Sequence, residues 1–498
     1  MAAADALAGL LGAALFAVAG LGIVQLLPGL AALPRGQRLA YGYLLGIAWV
    51  GGSLYALSHV LAVPLRRPAV LAVLIAPVLA GIVARLRRRP GPPARKGRPW
   101  TGLQKTAFAV SALICLGVLS DTLANPLRDW DGRMTWVTQA RYIHEEGTVD
   151  ARALREPEWY VTHPRYPLLL PLAQVALAEL FPLGGDAHAV YRPLYAVFLP
   201  VFLALVYGGA RRWRVSGNAA ALAMLSAALL PFLSFYPGGG AVSGYSDLPL
   251  ACFYGGAFLL LLWARPRLSH GIAAGLLLAA AVLSKNEGAP LAFWALLVAG
   301  VALARRRKAA PVLAAAVPVV LALALLVSWR SGIPNRYDER YEDLLTVANL
   351  WPEVVTRLPL LLPKIRFEMV AAKHWTVFWS VAPLLLLAGR RGLKRRPAWP
   401  LALAALAPLG VAWLAYAVSE TPMELVRMTW NRFLLQALLP FLGLLAFALD
   451  DLLRRSRWLP RALGGPARSP SPSPGRSAGT ESAASPSSAA PGLPTKTG

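Results

Sequence analysis

Uncharged apolar runs recur along most of the chain and are separated by short polar or Pro/Gly-containing segments. A run of about 18 apolar residues is long enough to cross the hydrocarbon core of a bilayer as a helix. The pattern therefore predicts an all-α fold, a polytopic bundle of about 14 transmembrane helices. The predicted spans are 5–27, 40–62, 68–86, 104–122, 166–183, 189–209, 218–236, 247–264, 270–285, 289–304, 309–328, 374–389, 398–418 and 431–449.

Two segments between the apolar runs are much longer than a simple connection needs. They cover residues 121–166 and 330–373, and both mix acidic with basic residues. In the first, apolar residues recur at helical spacing over 131–146 and stop at Gly147. This predicts an amphipathic helix at the membrane surface, with Trp136 at headgroup depth. Long loops on one face usually carry function, so we expect the chemistry there.

Composition divides the chain into four parts. A basic, Pro-rich stretch follows the third apolar run, and the end of the chain is rich in Ser, Pro, Ala and Gly without apolar periodicity, which is typical of disorder. The predicted parts are an N-terminal three-span appendage (1–86), a basic cytoplasmic linker (87–103), a transmembrane core (104–449) and a disordered cytoplasmic tail (450–498).

The composition argues against every soluble class of protein. Of the 498 residues, 57% are hydrophobic and 15% charged, whereas soluble domains carry about a quarter charged residues. The mean hydropathy is +0.52. Lys and Arg total 50 against 24 Asp and Glu, a net charge of +26. In a chain this apolar, the positive charge does not indicate nucleic acid binding, and no nucleic acid partner is expected.

Membrane topology explains the excess positive charge instead. The basic clusters are predicted to fall on one side of the bundle, which the positive-inside rule makes cytoplasmic. Only Arg66 and Arg67 are predicted on the other side. The two long loops then lie on the extracytoplasmic face of a multi-pass plasma membrane protein. The clusters lie at 87–98, 211–214, 265–267, 305–308, 390–396 and 454–457.

The sequence lacks the signatures of several common chemistries. The two cysteines, Cys115 and Cys252, lie inside apolar runs, which indicates small buried residues and neither a disulfide nor a metal site. The six histidines are scattered, and there is no Walker P-loop, HExxH motif or G-x-G-x-x-G after a predicted strand. We therefore expect neither a histidine-based zinc site nor the use of ATP.

Two carboxylates, Asp129 and Asp131, stand two residues apart just after the fourth predicted span. In this position they can accept a substrate proton, bind a cation or position a hydroxyl group. Asp131 is equally suited to cap the helix that follows it. The residues alone leave both roles open.

Polar groups beside the next predicted span lie on the same face. His163 can act as a proton donor or hydrogen-bond partner, and Arg165 can hold a lipid phosphate at the interface. The alternative is that Arg165 and Tyr166 are interface anchors, which is the interpretation we favour for Tyr166.

Three further positions on this face are candidates. Asp247 follows Tyr245 at the start of a span, where an N-cap is the simple interpretation. Lys285 and Glu287 separate two short apolar halves, as a surface turn or as paired charges of a site below the membrane surface. Arg432 begins the last predicted span and is a candidate phosphate contact.

These segments together resemble the GT-C superfamily of polytopic glycosyltransferases, specifically the bacterial relatives of protein mannosyltransferases and aminoarabinose transferases. The resemblance spans about 104–449 and depends on the order and topology of short motifs. They are DWDG at 129–132, HPRYPLLLP at 163–171, GYSDLP at 244–249 and KNEG at 285–288.

The resemblance implies transfer of a sugar from a polyprenyl-phosphate donor to a glycan, lipid or protein acceptor on the extracytoplasmic face. It implies that Asp131, or else Asp129, is the catalytic base or acceptor-positioning group. It assigns donor phosphate binding to basic residues near the membrane, and the matching residues in this chain are Lys285, Arg165 and Arg432. Relatives differ in metal dependence, so a divalent cation stays open as a cofactor and no metal ligand is predicted. The predicted substrate-binding residues are Arg133, His163, Arg165, Tyr166, Tyr245, Asp247, Lys285, Glu287 and Arg432.

Two other classes of function are compatible with a polytopic bundle. A transporter or a flippase of lipid-linked sugars predicts inverted repeats and polar residues near the bilayer midplane. The ionisable groups here gather at one face instead, between spans rich in Leu and Ala. A non-catalytic scaffold of the cell envelope is the third alternative.

Overall fold

The computed structural model describes residues 2–88, 99–125, 127, 129–156, 163–181, 188–236, 238–263, 266–305, 307–334, 347–419 and 421–456. Within these ranges the secondary structure is entirely helical. The helices are α1 (Ala2–Leu26), α2 (Pro28–Ala31), α3 (Arg35–Leu61), α4 (Arg67–Leu86), α5 (Gly102–Ala124), a π-helix (Gly132–Val137), α6 (Thr138–Glu146), α7 (Arg152–Arg155), α8 (Leu169–Leu180), α9 (His188–Ala196), α10 (Phe198–Arg212), α11 (Gly217–Ala228), α12 (Pro231–Ser234), α13 (Asp247–Leu261), α14 (Leu268–Val282), α15 (Gly288–Ala304), α16 (Ala310–Arg330), α17 (Val347–Val370), α18 (Ala372–Trp375), α19 (Phe378–Ala388), a 3-10 turn (Gly392–Lys394), α20 (Ala398–Val418) and α21 (Pro422–Arg455).

The described part of the chain has eight helices that are long and apolar enough to cross a bilayer. They are α1, α3, α4, α5, the joined pair α9–α10, α16, α20 and α21. The shorter apolar helices are α8, α11, α13, α14, α15 and α19. The predicted polytopic helical fold is confirmed, whereas the predicted number of 14 spans is not.

The basic segments of the sequence meet at one end of the bundle, which we call the basic end. The guanidinium of Arg212 lies 4.0 Å from the centre of the Trp263 ring and donates to Gln37 at the start of α3 (3.3 Å). Asp450, near the end of α21, accepts from Arg395. Other contacts at this end are a cation–π contact of Arg305 with Trp399, a ring contact of Trp213 with Phe447, and a hydrogen bond from the backbone N–H of Ser216 to Asp450. Arg85 lies near Arg35 and Arg38.

The opposite end, which we call the site end, contains the segment between α5 and α8. Arg66, just before α4, donates to the backbone carbonyls of His144 and Glu145 at the end of α6 (2.8 and 3.2 Å). His59 of α3 pairs with Asp150 (3.3 Å). Arg66, which the sequence places apart from the other basic clusters, therefore binds backbone carbonyl groups at the C-terminus of α6. A cation is favoured at this end of a helix.

The amphipathic helix predicted over 131–146 is present as the π-helix followed by α6. It ends at Gly147, whose left-handed conformation (φ 72°) and N–H bond to the carbonyl of Ile143 (2.8 Å) are typical of a helix C-terminus. The Trp136 side chain is fully buried and packs against the Tyr166 ring at 5.5 Å, so it faces the protein. Its predicted depth in the membrane stays a prediction.

Helix α8 does not cross the bundle, although the sequence predicts a span over 166–183. It has 12 residues, about 18 Å of helix against a hydrocarbon core of about 30 Å. Both of its ends contact α6. The carbonyl of His163, just before α8, accepts from Gln139 (2.9 Å), and Glu179 near its end pairs with His144 (3.0 Å). The helix therefore returns to the site end.

The position of α8 also removes an inconsistency between the predicted spans and the predicted common side of the basic clusters. If 166–183 crossed the membrane, the basic cluster at 87–98 would lie on the opposite side from the other five clusters. With α8 confined to the site end, α9–α10 begins there and carries its basic residues to the basic end. The contacts of Arg212, Arg305 and Arg395 then agree with one common end for their clusters, and Arg85, just before the 87–98 cluster, lies near Arg35 and Arg38.

The first three long helices pack directly onto later helices. The Tyr43 hydroxyl of α3 donates to the carbonyl of Leu194 in α9, and the Tyr41 hydroxyl donates to the carbonyl of Gly256 in α13 (3.2 Å). The predicted division into an appendage at 1–86 and a core from 104 stays a prediction, and residues 89–98 of the linker lie outside the described ranges.

The last long helix differs from its predicted limits at both ends. The sequence predicts a span over 431–449 followed by a tail from 450, but α21 runs from Pro422 to Arg455 with Pro440 inside it. Arg432 therefore lies ten residues into the helix. Residues 457–498, predicted to be a disordered tail, lie outside the described ranges.

The position of α8 predicts which face of the membrane exposes its end. In a protein without native cysteines (Cys115→Ala, Cys252→Ala), we expect Phe181→Cys to react with a membrane-impermeant maleimide from the same side as Arg141→Cys. Arg390→Cys, at the basic end, should react only from the other side. Labelling of Phe181→Cys from the side of Arg390→Cys would show that α8 crosses the membrane.

Candidate active site

The segment after α5 brings Asp131 to the start of the π-helix, but its carboxylate does not cap that helix. It forms an ion pair with Nη1 of Arg432 in α21 at 2.8 Å. The backbone N–H of Asp131 donates to the hydroxyl of Tyr245 (3.2 Å). The capping role that the sequence leaves open for Asp131 is therefore absent, and its carboxylate instead forms an ion pair across the site. π-helical turns of this kind are frequent at functional sites.

Arg432 links two carboxylates from different parts of the chain. Its Nη1 binds Asp131, and its Nε binds Oδ2 of Asp247 at 2.8 Å. The guanidinium also lies 4.8 Å from the centre of the Tyr245 ring, within the range of a cation–π contact. The Arg432 side chain is only 11% exposed. A cation this buried needs such partners, because removal from water is costly.

Asp247 extends the ion pairs to a third segment. Its Oδ1 accepts from Nζ of Lys285 at 2.7 Å, and Lys285 in turn contacts Oε1 of Glu287 at 2.9 Å. Asp247 is fully buried and Lys285 is 3% exposed. The simple N-cap role for Asp247 and the surface-turn role for Lys285 are therefore wrong. We call Asp131, Arg432, Asp247, Lys285 and Glu287 the salt-bridge network.

Two glycines allow the backbone segments of the site to approach each other. A Cβ on Gly132 would lie 2.6 Å from the carbonyl oxygen of Ser243, which is closer than real Cβ contacts. Gly244 has φ 70°, a conformation that favours glycine, and packs against Leu127. The π-helix can therefore lie directly on the turn that carries Tyr245.

Asp129 lies outside the salt-bridge network and has a different electrostatic environment. Its pKa is raised to about 6, mainly because burial disfavours the charged form, while a hydrogen bond from the backbone of Gly238 opposes the shift. The nearby charge of Asp131 adds to the increase, and that of Arg133 lowers it. The result is a carboxyl group that changes charge close to neutral pH, as suits a general base.

The predicted residues at 163–166 pack beside the π-helix. The rings of His163 and Tyr166 are stacked at 4.5 Å, and Tyr166 also contacts Trp136. His163 has φ 52°, unusual for a residue other than glycine. The backbone carbonyl of Arg165 accepts from Arg330 at the end of α16 (2.8 Å). Tyr166 is thus half-buried and packs on two neighbouring rings at the site end, and its role as an interface anchor stays a prediction.

The structure thus joins most of the predicted site residues. The salt-bridge network and Tyr245 are in direct contact, and Asp129 is close enough to Asp131 and Arg133 to feel their charges. Arg133 itself is exposed. The segment with His163, Arg165 and Tyr166 reaches this group through Trp136 of the π-helix.

Gln436 of α21 and Glu368 of α17 were not singled out from the sequence. The amide of Gln436 donates to Oδ1 of Asp247 (3.1 Å). Asn431 donates to Glu368 (3.1 Å) and accepts from the Trp375 indole N–H (2.7 Å). Gln436 follows Arg432 by four residues, so both lie on one face of the helix. That spacing of polar groups in an apolar helix was a usable signal, whereas nothing in the sequence linked Glu368 to Asn431.

A divalent cation does not fit between the site carboxylates as they are arranged. Asp131 and Asp247 are both bound by Arg432, so a metal ion between them would have to replace the guanidinium. Among the described residues, no group of three or more His, Cys, Asp or Glu side chains is placed to hold a metal ion. The divalent cation that the resemblance leaves open stays a prediction.

The chain has distant structural relatives. No family model and no curated protein sequence matches it. It is similar to ArnT from Cupriavidus metallidurans, solved bound to undecaprenyl phosphate, with 20% identity and a TM-score of 0.44 over 73% of this chain and 62% of ArnT. It is also similar to the oligosaccharyltransferase AglB from Archaeoglobus fulgidus, in complex with an inhibitory peptide and a dolichol-phosphate, with 15% identity and a TM-score of 0.41 over 74% of this chain and 52% of AglB.

Both neighbours are GT-C glycosyltransferases, the class whose motifs the sequence resembles. The chain spans only about three fifths of the length of ArnT. Likeness at this level assigns no role to any residue, so the chemistry of the site depends on its own geometry.

The salt-bridge network predicts a large effect from the loss of its central carboxylate. We expect Asp247→Asn to destabilise the protein by about 3–5 kcal/mol, because Lys285 and Arg432 lose a buried partner. Thermal unfolding in detergent should show a lower Tm. Glu424→Gln, an exposed carboxylate on the same helix as Arg432, is the control and should unfold like wild type. An unchanged Tm in Asp247→Asn would contradict the network.

Proposed function

We propose that this protein is a membrane glycosyltransferase that moves a sugar from a polyprenyl-phosphate donor to an acceptor at the site end. The observation that supports this most directly is that a half-buried carboxyl group, Asp129, whose pKa is about 6, lies at the same end of a membrane bundle as several cations. Such a donor has its phosphate at the membrane interface, where cations can bind it and a nearby base can act on the acceptor.

Asp129 is the better candidate for the base. The carboxylate of Asp131 is engaged by Arg432 in an ion pair, whereas Asp129 lies outside the salt-bridge network and its raised pKa gives it affinity for a proton near neutral pH. We therefore propose Asp129 as the base, although the resemblance favours Asp131. Asp131 acts here as a positioning residue that orients the π-helix against Arg432 and Tyr245.

We assign the donor phosphate to Arg133. Lys285 and Arg432 are each bound to two carboxylates, so a phosphate could reach them only by displacing an acidic partner. Arg133 is exposed and close to Asp129. Its planar guanidinium suits bidentate contact with phosphate oxygens. The phosphate role of Arg165 stays a prediction.

In the proposed reaction an acceptor hydroxyl attacks the anomeric carbon of the donor sugar. The bond from that carbon to the new oxygen forms as its bond to the phosphate oxygen breaks. The hydroxyl proton moves to the carboxylate of Asp129, and the electron pair of the broken bond stays on the polyprenyl phosphate. The cations at the site end stabilise this developing negative charge. Glycan, lipid and protein hydroxyl groups are all chemically suitable acceptors.

The proposed orientation places the site end outside the cytoplasm. The positive-inside rule assigns the basic end to the cytoplasm, where the C-terminal tail would also lie. A transporter or flippase is less well supported, because its polar residues are expected near the bilayer midplane. The ion pairs that involve the candidate residues lie at the site end, and Asp450 with its partners lies at the basic end.

Replacement of the two loop carboxylates tests the catalytic proposal. With purified protein and radiolabelled polyprenyl-phosphate sugars, we expect Asp129→Asn to lower donor turnover by about 10²–10⁴-fold, the usual contribution of a general base. Asp131→Asn should lose about 10- to 100-fold, equivalent to one charged hydrogen bond. Glu424→Gln is the matched control and should be unaffected. Undetectable turnover by wild type, or equal turnover in both Asp variants and wild type, would contradict the proposal.

The pKa of Asp129 predicts the acid side of the pH profile. Above pH 6 the carboxylate is ionised and can accept the acceptor proton, so kcat/KM should fall as the pH drops through about 6. In Asp131→Asn a nearby negative charge is removed, and the fall should move to lower pH. A wild-type profile that stays flat down to pH 4, or no shift in Asp131→Asn, would show that another group is the base.

A further inference from the structure

A large apolar groove runs along the outside of the bundle between α5 and α10, with α1 and the start of α3 at its edges. Its volume is about 1050 Å³. The α10 side runs from the end of α9, at Ala196, to Arg212, a length of about 24 Å at 1.5 Å per residue. The groove therefore covers most of a hydrocarbon core of about 30 Å.

Small residues form the middle of this groove. Ala204 and Gly208 lie on the α10 side, and Ser111, Ala112 and Cys115 lie on the α5 side. Helices that present small residues to each other can usually pack closely, but α5 and α10 leave open space here. Apolar walls of this length suit an extended hydrocarbon chain.

The basic end of the groove has a different chemical character. Arg211 and Arg212 line it there, together with Trp100 and Tyr207. Trp100 and Tyr207 both contact the ring of Phe108, at 4.5 and 4.9 Å. Arginines beside Trp and Tyr are typical of the level at which lipid headgroups lie, and two adjacent guanidinium groups favour an anionic one.

We propose that this groove binds an anionic glycerophospholipid of the leaflet at the basic end. Its acyl chain lies between α5 and α10, and its phosphate lies at Arg211 and Arg212. Arg212 is already held in place by Gln37 and by the ring of Trp263. The site is independent of the proposed enzymatic activity.

The occupant is not the polyprenyl-phosphate donor, because the cations are at the wrong end. Trp213, next to Arg212, packs against Phe447 of α21, which is 15 residues from Arg432. Along a helix this is about 22 Å. A donor bound with its phosphate at Arg211 would therefore keep its sugar far from Asp129.

A lipid in this groove would support the helix that leads into the candidate active site. Of its 23 residues, α5 buries Gln104, Ala107, Ser111, Val118 and Thr122, and so packs sparsely against the rest of the bundle. Its basic end is tied by a hydrogen bond from Thr101 to Asn218 (2.7 Å). The acyl chain would fill the open side of α5, whose other end lies a few residues before Asp129.

Photo-crosslinking tests the site directly. The full-length protein is reconstituted with phosphatidylglycerol that carries a diazirine in one acyl chain, and the labelled peptides are mapped by mass spectrometry. We expect adducts concentrated in 108–119 and 200–208. Arg211→Gln should reduce them about fivefold, the effect of one basic residue near a membrane surface. Ala204→Phe should abolish them by filling the groove. Arg390→Gln, an exposed arginine of the basic end outside the groove, is the matched control and should change nothing.

Three results would overturn the proposal. Equal labelling of the exposed faces of α4 and α16 would mean that only bulk bilayer lipid contacts the groove. Equal labelling by a phosphatidylcholine probe would remove the role of the anionic headgroup. A dimer in native mass spectrometry that is lost in Ala204→Phe would assign the groove to a second copy of the chain.

Discussion

The arrangement of the site end depends on one buried cation, Arg432, which must be neutralised at the edge of a membrane. Its two carboxylate partners come from the segment after α5 and from the start of α13, more than a hundred residues apart. Lys285 brings the turn between α14 and α15 to the same carboxylate. Because any unpaired member would be a buried charge, the four segments are stable only together. Electrostatic compensation therefore helps to fix their relative position.

This compensation separates structural charges from reactive ones. The residues of the salt-bridge network satisfy one another and so hold the segments in place. Asp129 and Arg133, a few residues away on the same segment, lie outside those pairs. The site thus combines a rigid ionic support with a carboxyl group that can still change its protonation state. Such a division is typical of catalytic sites that are held by surrounding contacts.

The apolar pattern was sufficient to predict the helical membrane fold, and polar breaks in it were sufficient to find Asp131, Asp247, Lys285 and Arg432. It could not predict α8, because a 12-residue apolar helix that returns to its own side has the same composition as part of a span. Nor could it predict that Asp131 and Asp247 bind Arg432 instead of capping helices. Capping is a local pattern, whereas these ion pairs join residues far apart in the sequence.

Helix α21 carries Arg432 and Asp450, which anchor ion pairs at opposite ends of the bundle. Eighteen residues separate them, about 27 Å of continuous helix. A single element therefore sets the spacing between the two charged layers of the protein, close to the thickness of an average bilayer core of about 30 Å. In a thinner or thicker membrane the loops cannot adjust this spacing. The mismatch must be taken up by the lipid or by bending at Pro440, which lies inside the helix between the two anchors.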